Sequence, residues 1–295
     1  MAAKTCGRRA VLLITRHLMF RHSAPIEVTA ERNGMAPDVL LFEELGPVAR
    51  LTLNRPQAMN ALNLSMLSEL EHRLGEISNK DEIRVVVLSG NGAAFCAGAD
   101  LKEVLAGAQL GPGEADFLDR ASLVFGALRD FPKPVVAALN GTTMAGGLEL
   151  AMCADVVIAA QSATIADAHA NFGVYPGAGG AAILPRLIPL NMAMYLLLTG
   201  KPLSAAEMKA CGLVSEVHPD EGLADAALAL ARHIAKKSPI ALRRMKQVAR
   251  ASADKSRDDA LLHEQVMLRQ HMRSFDFQEG LRAFAEKRSP QFQGR

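Results

Sequence analysis

Residues 140–150 read NGTTMAGGLEL, a glycine pair followed at once by an apolar run with helical spacing. Backbone N–H groups in the first turn of a helix have no acceptor inside it, and they point towards whatever lies beyond its end. Glycine allows a ligand to approach that backbone closely. The stretch therefore predicts a turn into a helix that presents N–H donors to a developing oxyanion, with the carboxylate of Glu149 near enough to handle a proton.

Short β-rich runs alternate with helical periods on both sides of this stretch. Residues 134–139 (PVVAAL) predict a strand that leads directly into it. Further strands are predicted at 48–53, 84–88 and 154–159, and helices at 115–129 and around Leu67, Leu70, Leu74 and Ile77, the last capped by Asn63 or Ser65. This alternation predicts an α/β core in which helices cover a sheet.

The pattern changes after about residue 200, where β-branched residues become rare. Helices are predicted at 204–210, 223–237, 239–251, 259–273 and 278–287. We therefore expect an α/β core over residues 37–200 and a C-terminal helical region over 201–295. Such a helical region is suited to self-association.

Composition excludes several classes of protein. The 295 residues are 49% hydrophobic and 22% charged, with a formal net charge of +2 and no tryptophan, which does not favour a nucleic-acid partner. The four cysteines, at positions 6, 96, 153 and 211, have no metal-ligand spacing, so free thiols and no metal are expected. No apolar run approaches the length of about 20 residues that a membrane span needs.

The first 26 residues contain Arg8, Arg9, Arg16 and Arg21 and no acidic residue. Such a segment is similar to a mitochondrial transit peptide. Two alternatives are a disordered bacterial tail and translation that truly starts at Met35. Residues 1–36 are therefore set apart as a tail or targeting segment, and the expected compartment is the cytoplasm for a bacterial protein or the mitochondrial matrix for a cleaved one.

Two more segments of small residues flank the opening stretch, FCAGADLK at 95–102 and FGVYPGAGG at 172–180. The second lacks the lysine of a phosphate-binding P-loop and does not match GxGxxG. In this order and spacing, the three segments resemble the crotonase superfamily, also called the enoyl-CoA hydratase/isomerase family. Residues 53–62, 198–214 and 279–288 also match, so the resemblance extends from about residue 40 to the end.

The resemblance implies a spiral of ββα units with a C-terminal helical trimerisation region. It also implies acyl-CoA thioesters as substrates, a place in fatty acid or other lipid metabolism, and a homotrimer or dimer of trimers. Coenzyme A is then part of the substrate, and no separate cofactor is expected.

The family's site residues map onto individual positions of this chain. The two oxyanion-hole N–H groups fall on Ala99 and Gly146, and one such donor is typically worth about 3–4 kcal/mol of barrier. Glu149 matches the first catalytic glutamate. The residues that match the family's coenzyme A cradle are Ala97, Gly98, Ala99, Asp100, Leu101 and Lys102, and Lys287 is a candidate for the CoA phosphates.

One position departs from the family pattern. The hydratase's second glutamate lies seven residues before the proline of the glycine-rich loop, and here that position holds His169. A histidine titrates near neutral pH and is able to move a proton. Asp167 is a candidate to orient the imidazole or to replace it, and Tyr175 is a further candidate to reach the pocket. The alternative is that His169 is an ordinary packed loop residue.

These residues imply an acyl-CoA thioester lyase of enoyl-CoA hydratase type, which adds or removes water across the Cα–Cβ bond through an enolate. An alternative is another reaction of the family that uses one glutamate, as in hydratase-lyases, dehydratases and CoA hydrolases. A third hypothesis is an acyl-CoA-binding relative without turnover. Isomerisation ranks lower, because it relies on the glutamate that His169 replaces.

Overall fold

Ten strands form two sheets within residues 38–107 and 116–295, the ranges that the computed structural model describes. In chain order they are β1 (Leu40–Glu44), β2 (Val48–Leu53), β3 (Val85–Gly90), β4 (Ala94–Cys96), β5 (Val135–Leu139), β6 (Thr142–Met144), β7 (Val156–Ala160), β8 (Thr164–Ala166), β9 (Leu203–Ser204) and β10 (Glu216–His218). One sheet has the order β1-β2-β3-β5-β7-β10, and the other has the order β4-β6-β8-β9.

Eleven α-helices accompany these strands in the same described ranges. They are α1 (Leu64–Ser78), α2 (Leu101–Gly107), α3 (Phe117–Arg129), α4 (Gly146–Ala151), α5 (Leu184–Leu187), α6 (Leu190–Thr199), α7 (Ala205–Ala210), α8 (Leu223–Ala235), α9 (Pro239–Ser252), α10 (Arg257–His271) and α11 (Phe275–Ala285). None of the helices in these ranges is long and apolar enough to cross a bilayer.

Three successive pairs of strands each contribute one strand to each sheet. The pairs β3/β4, β5/β6 and β7/β8 place their first strand in the six-stranded sheet and their second in the four-stranded sheet. Pairing between successive pairs is parallel, as in β3 with β5 and β4 with β6. The chain therefore advances as a spiral of strand pairs followed by helices, which confirms the predicted fold class.

The core lies between the large sheet and the helices that cover it. All five residues of β5 and the first four of β3 are buried, as expected for parallel strands that are covered on both faces. Helix α1 packs Leu67, Leu70 and Leu74 inward, as its spacing predicts. Its N-cap is Asn63, whose side chain accepts from the Met66 N–H, so Asn63 rather than Ser65 is the cap.

The remaining predicted elements are found with shifts of one to three residues at their ends. Helix α3 begins at Phe117, because Asp116 and Asp119 form a capping box there, and Ala115 lies outside the described residues. The strand predicted at 154–159 is β7, which runs from Val156 to Ala160.

Beyond residue 200 the structure is less purely helical than predicted. The five predicted helices are present as α7 to α11, but β9 and β10 also occur there and pair with β8 and β7. Both strands are only two or three residues long, too short to give a periodic signal. The boundary at residue 200 stays a prediction, and the tail predicted over residues 1–36 lies outside the described residues.

Candidate active site

The glycine pair forms the junction between β6 and α4. Ala145 precedes the helix with a positive φ of 49°, and Gly146 and Gly147 begin it. A Cβ atom on Gly147 would lie 2.0 Å from the backbone oxygen of Cys96, so only glycine lets α4 pack this closely on β4. The packing fixes the first turn of α4, which carries Glu149, a residue only 4% exposed.

The backbone N–H groups of Ala99 and Gly146 face a common space. A Cβ atom on Gly146 would lie 3.4 Å from the Ala99 nitrogen. Hydrogen bonds between Leu62 and the residues on either side of Ala99 hold this loop, because the Leu62 N–H donates to Gly98 and the Leu62 carbonyl accepts from Asp100. Among the described residues, neither the Ala99 nor the Gly146 N–H donates to a backbone acceptor. Both N–H groups are therefore free to donate to a ligand oxygen, and their role as an oxyanion hole stays a prediction.

The glycine-rich segment supplies the partners of Glu149. We call residues 177–180 the Glu149-binding loop, because the N–H groups of Ala178 and Gly180 both donate to Glu149 Oε1, at 2.8 and 2.9 Å. A Cβ atom on Gly180 would lie 2.6 Å from Asp167 Oδ2, so glycine is required for this close approach. Two charge-assisted hydrogen bonds hold one carboxylate oxygen and leave Oε2 directed to the cavity side.

His169 lies on that side of the carboxylate. Its Nε2 atom is 4.0 Å from Glu149 Oε2, and its Nδ1 atom is 2.9 Å from Asp167 Oδ1. Asp167 is 1% exposed, and the His169 side chain is 11% exposed. Because a carboxylate oxygen accepts at Nδ1, that nitrogen carries a proton and Nε2 is the atom that gains or loses one.

The surroundings favour the protonated form of this histidine. Burial lowers the pKa of His169, but the hydrogen bond to Asp167, the charge of Asp167 and the charge of Glu149 together outweigh burial and raise the pKa above its ordinary value of 6.5. The raised pKa favours an imidazolium next to Glu149, and an imidazolium is able to donate a proton.

These groups line one cavity of about 190 Å³. Ala97, Ala99, Gly146, Glu149 and His169 all contribute to its surface. Much of the remaining wall is apolar and includes Leu62, Leu101, Val104, Phe117, Leu118 and Phe125. The arrangement of two backbone donors, a carboxylate and an imidazole inside an apolar cleft suits chemistry at a carbonyl group.

Some of the predicted site residues lie elsewhere. Gly98, Asp100 and Lys102 do not line the cavity. The Asp100 carboxylate instead accepts from the Arg55 guanidinium at 3.0 Å, which ties the Ala99 loop to the chain before α1. Tyr175 does line the cavity and is 80% exposed, so it lies at the mouth. Lys287 is exposed just after α11.

The Glu149-binding loop is the functional feature that sequence reasoning missed. The sequence shows its glycines but not the contact of the Ala178 and Gly180 N–H groups with Glu149. The available signal is the small-residue segment GAGG at 177–180, since successive small residues let backbone N–H groups converge on one anion.

Metal and thiol chemistry have little support in the described part of the chain. No group of three or more His, Cys, Asp or Glu residues there is arranged to hold a metal ion. Cys96, Cys153 and Cys211 are free, and Cys6 lies outside the described residues. Burial raises the pKa of the Cys96 thiol to about 12 and that of Cys153 to about 11, so neither is a ready nucleophile.

Comparison with known proteins agrees with this geometry. The family model for enoyl-CoA hydratase/isomerase matches residues 43–295. The chain belongs to this family. It is accordingly an enzyme of the hydratase-type crotonase class, and the expectation of acyl-CoA ligands is consistent with the family.

Individual relatives match over nearly their full lengths. A probable enoyl-CoA hydratase of Mycobacterium tuberculosis is 37% identical over 258 residues, which cover 88% of this chain and 99% of that protein. The 2,3-dehydroadipyl-CoA hydratase of Escherichia coli is 37% identical over 248 residues, covering 84% and 96%. The crystal structure of an enoyl-CoA hydratase from Bacillus anthracis is 35% identical, with a TM-score of 0.82 and coverage of 87% and 100%.

Proposed function

We propose that this enzyme adds water across the Cα–Cβ double bond of an enoyl-CoA thioester, with Glu149 and His169 as its acid/base pair. One observation carries the proposal. Glu149 Oε2 and His169 Nε2 lie 4.0 Å apart on a cavity that is also lined by Ala99 and Gly146. Proton-transfer groups and oxyanion donors therefore act on the same bound thioester.

The reaction follows from this placement. The thioester oxygen accepts from the Ala99 and Gly146 N–H groups. Glu149 Oε2 takes a proton from water as the water oxygen bonds to Cβ, and the π electrons move through Cα to give the enolate. His169 Nε2–H then protonates Cα, which re-forms the thioester carbonyl. General acid–base catalysis of this kind contributes about 10²–10⁴-fold to the rate.

The pair returns to its starting state without a further side chain. After one turnover, Glu149 holds the proton from water and His169 is neutral. Passage of that proton from Oε2 to Nε2, directly or through one water, restores the carboxylate and the imidazolium. Dehydration of a 3-hydroxyacyl-CoA uses the same groups in reverse, because both directions pass through the same enolate and the same transition states.

A second candidate reaction is hydrolysis of the CoA thioester. The observation that favours it is the Asp167–His169 pair at 2.9 Å, since a neutral imidazole held in this way is a base for water. Water would then attack the carbonyl carbon, and the CoA thiolate would leave. Hydratase-lyase chemistry also remains compatible with Glu149 as the single glutamate.

A short enoyl-CoA such as crotonyl-CoA distinguishes these reactions. Hydration removes the conjugated thioester absorbance and releases no thiol, whereas hydrolysis releases free CoA, which a thiol reagent detects. The proposal predicts loss of conjugation without thiol release, and thiol release at the same rate would contradict it. Binding of crotonyl-CoA with neither signal would contradict both catalytic proposals.

We also propose that the protein assembles as a homotrimer or a dimer of trimers through its C-terminal helices. In the described chain, no residue of α9 or α10 is buried, and a mostly apolar groove of about 480 Å³ lies between them. Met245, Leu261 and Leu262 are all more than half exposed on these helices. Exposed apolar surface of this kind is typical of an interface between subunits. Light scattering of the purified protein tests the assembly, and a monomer of 31.5 kDa would contradict it.

Three finer assignments are part of the same proposal. The backbone of residues 97–102 holds the pantetheine and adenine parts of coenzyme A, and Lys287 is placed after the last helix as a partner for CoA phosphates. The Arg-rich segment before Glu27 directs the chain to the mitochondrial matrix if it is cleaved, and otherwise the enzyme is cytoplasmic. The mass of the protein isolated from its native cells separates these two outcomes.

A further inference from the structure

Arg129, the last residue of α3, contacts the Glu149-binding loop. Its Nη2 atom donates to the Ala178 carbonyl oxygen at 3.3 Å and contacts Cys153 Sγ at 3.7 Å. None of the ion pairs found within residues 38–107 and 116–295 includes Arg129. The buried Nε atom of Arg129 has no hydrogen-bond partner there. A buried N–H without a partner is costly, so this placement calls for an explanation.

The contact with Ala178 falls between the two peptide groups that bind Glu149. The peptide before Ala178 supplies one N–H to Oε1, and the peptide before Gly180 supplies the other. The carbonyl that Arg129 holds belongs to the intervening peptide, between Ala178 and Gly179. Three consecutive peptide groups are thereby fixed, with the outer two directed at the carboxylate and the middle one directed at the guanidinium.

A second route connects Arg129 with the backbone of Glu149. Cys153 Sγ donates to the Glu149 carbonyl oxygen at 3.3 Å and accepts from Arg129 Nη2. Burial keeps this thiol protonated, which lets it act as the donor. Arg129 thus supports the main chain of Glu149 through Cys153 and its carboxylate through Ala178.

We propose that Arg129 is a positioning residue, which holds the Glu149-binding loop so that Oε1 stays bound and Oε2 stays directed at His169 and the substrate. This inference rests on the proposed function only in taking Glu149 as the reacting group. Arg129 itself touches neither the cavity surface nor the reacting atoms. Its replacement by an apolar side chain of similar length is expected to leave the fold intact, since buried ionic groups often contribute little net stability.

The test compares Arg129→Met with Arg129→Lys and with Arg120→Met as a matched control. Arg120 lies on the same helix, but its guanidinium pairs with Glu71 on the surface. For Arg129→Met we expect kcat for crotonyl-CoA hydration to fall about 10-fold with KM nearly unchanged, as for an interaction that matters only in the transition state. Arg129→Lys should recover part of the loss, and Arg120→Met should match the wild type.

A spectroscopic signal separates failure of this inference from failure of the proposed reaction. The amide resonances of Ala178 and Gly180 report their hydrogen bonds to Glu149 whether or not the enzyme hydrates crotonyl-CoA. In Arg129→Met both should move in the direction seen on Glu149→Gln, and their hydrogen exchange should accelerate, while Arg120→Met leaves them in place. Unmoved amides in a folded Arg129→Met protein would overturn the inference.

If Arg129→Met does not fold, the Lys variant and an Arg129→Gln variant provide the same comparison. Amide resonances of Ala178 and Gly180 that shift in the Arg129→Gln variant but not in the Arg129→Lys variant would support the positioning role. Identical amide spectra for wild type, Lys and Gln would overturn it. If the Ala178 and Gly180 amides shift in the Arg129 variants but the wild-type protein does not hydrate crotonyl-CoA, this inference is supported and the hydratase proposal is contradicted.

Discussion

The Nε2 atom of His169 lies 4.0 Å from Oε2 of Glu149, and Asp167 holds the other ring nitrogen at 2.9 Å. The resemblance to the family implies a second glutamate at position 169, and this chain carries an imidazole there. The chemical consequence is a change in charge, because an imidazolium and a carboxylate can share one proton without the repulsion of two carboxylates. Five expected outcomes follow from the site.

Glu149→Gln is expected to reduce hydration of crotonyl-CoA by at least about 10³-fold, because the base that activates water is lost. The amide oxygen of Gln is able to accept from Ala178 and Gly180, which leaves the NH2 group facing the cavity without basicity. Binding of butyryl-CoA, a saturated thioester, should therefore change little by calorimetry. Retained turnover in this variant would refute the mechanism.

His169→Ala is expected to lower kcat by about 10²-fold or more while leaving thioester affinity nearly unchanged, since the proton donor acts only during the reaction. The chain offers a matched control in His218, which pairs with Glu216 two residues earlier at 2.9 Å on the surface. His218→Ala should have wild-type kinetics. If His169→Ala and His218→Ala have equal kcat values, His169 is not the proton donor and has only a structural role in its loop.

The sequence is sufficient to predict the fold class and the family. Strand patterns located β2 and β5, and helical periodicity located α1 and α8 to α11. Apolar residues are buried in β2, β5, α1 and α8, whereas α9 and α10 have no buried residue. The glycine at position 147 indicates close packing at the start of α4, since contact with Cys96 excludes every larger side chain there. Strands of two or three residues, such as β6 and β9, escaped prediction because they are too short for a period to be visible.

The contacts of the acid/base pair depended on geometry that sequence spacing does not contain. Glu149 follows β6 and His169 follows β8, and the parallel pairing of these two strands brings the residues together. Glu149 and Ala178, which share a hydrogen bond, are 29 residues apart in the sequence. Arg129 lies farther still from its contact, 49 residues before Ala178. Such contacts arise from tertiary packing, and a single sequence gives no direct signal for them.

The pH dependence of hydration should reflect the raised pKa of His169. If the imidazolium is the proton donor, kcat falls as the pH rises through the folded-state pKa, which lies above 6.5. Asp167→Asn retains an acceptor for Nδ1 but removes the charge that raises the pKa of His169. The fall of kcat on the alkaline side of the pH profile should therefore occur at lower pH in this variant. An alkaline limb that stays in place in this variant would contradict His169 as the acid.

The same ionisation contributes to stability with a defined sign. A histidine whose pKa is raised on folding stabilises the protein fully below its unfolded-state value of 6.5, and that contribution is lost as the pH rises through the folded-state pKa. The difference in free energy of unfolding between wild type and His169→Gln, measured by denaturant titration, should therefore shrink from acidic to alkaline pH. A difference that grows with pH would contradict the raised pKa.

Alanine substitutions at the two adjacent glycines of α4 should have different effects, one on catalysis and the other on folding. On Gly146 a methyl group would lie 3.4 Å from the Ala99 nitrogen, an ordinary contact, so Gly146→Ala should fold normally but obstruct the thioester oxygen and lower kcat about 10²-fold. On Gly147 a methyl group would lie 2.0 Å from the Cys96 oxygen, so Gly147→Ala should lose roughly 2–4 kcal/mol of stability. Thermal melts and kcat values check both variants together. A stable, fully active Gly146→Ala enzyme would contradict the placement of the thioester oxygen beside the Cα of Gly146.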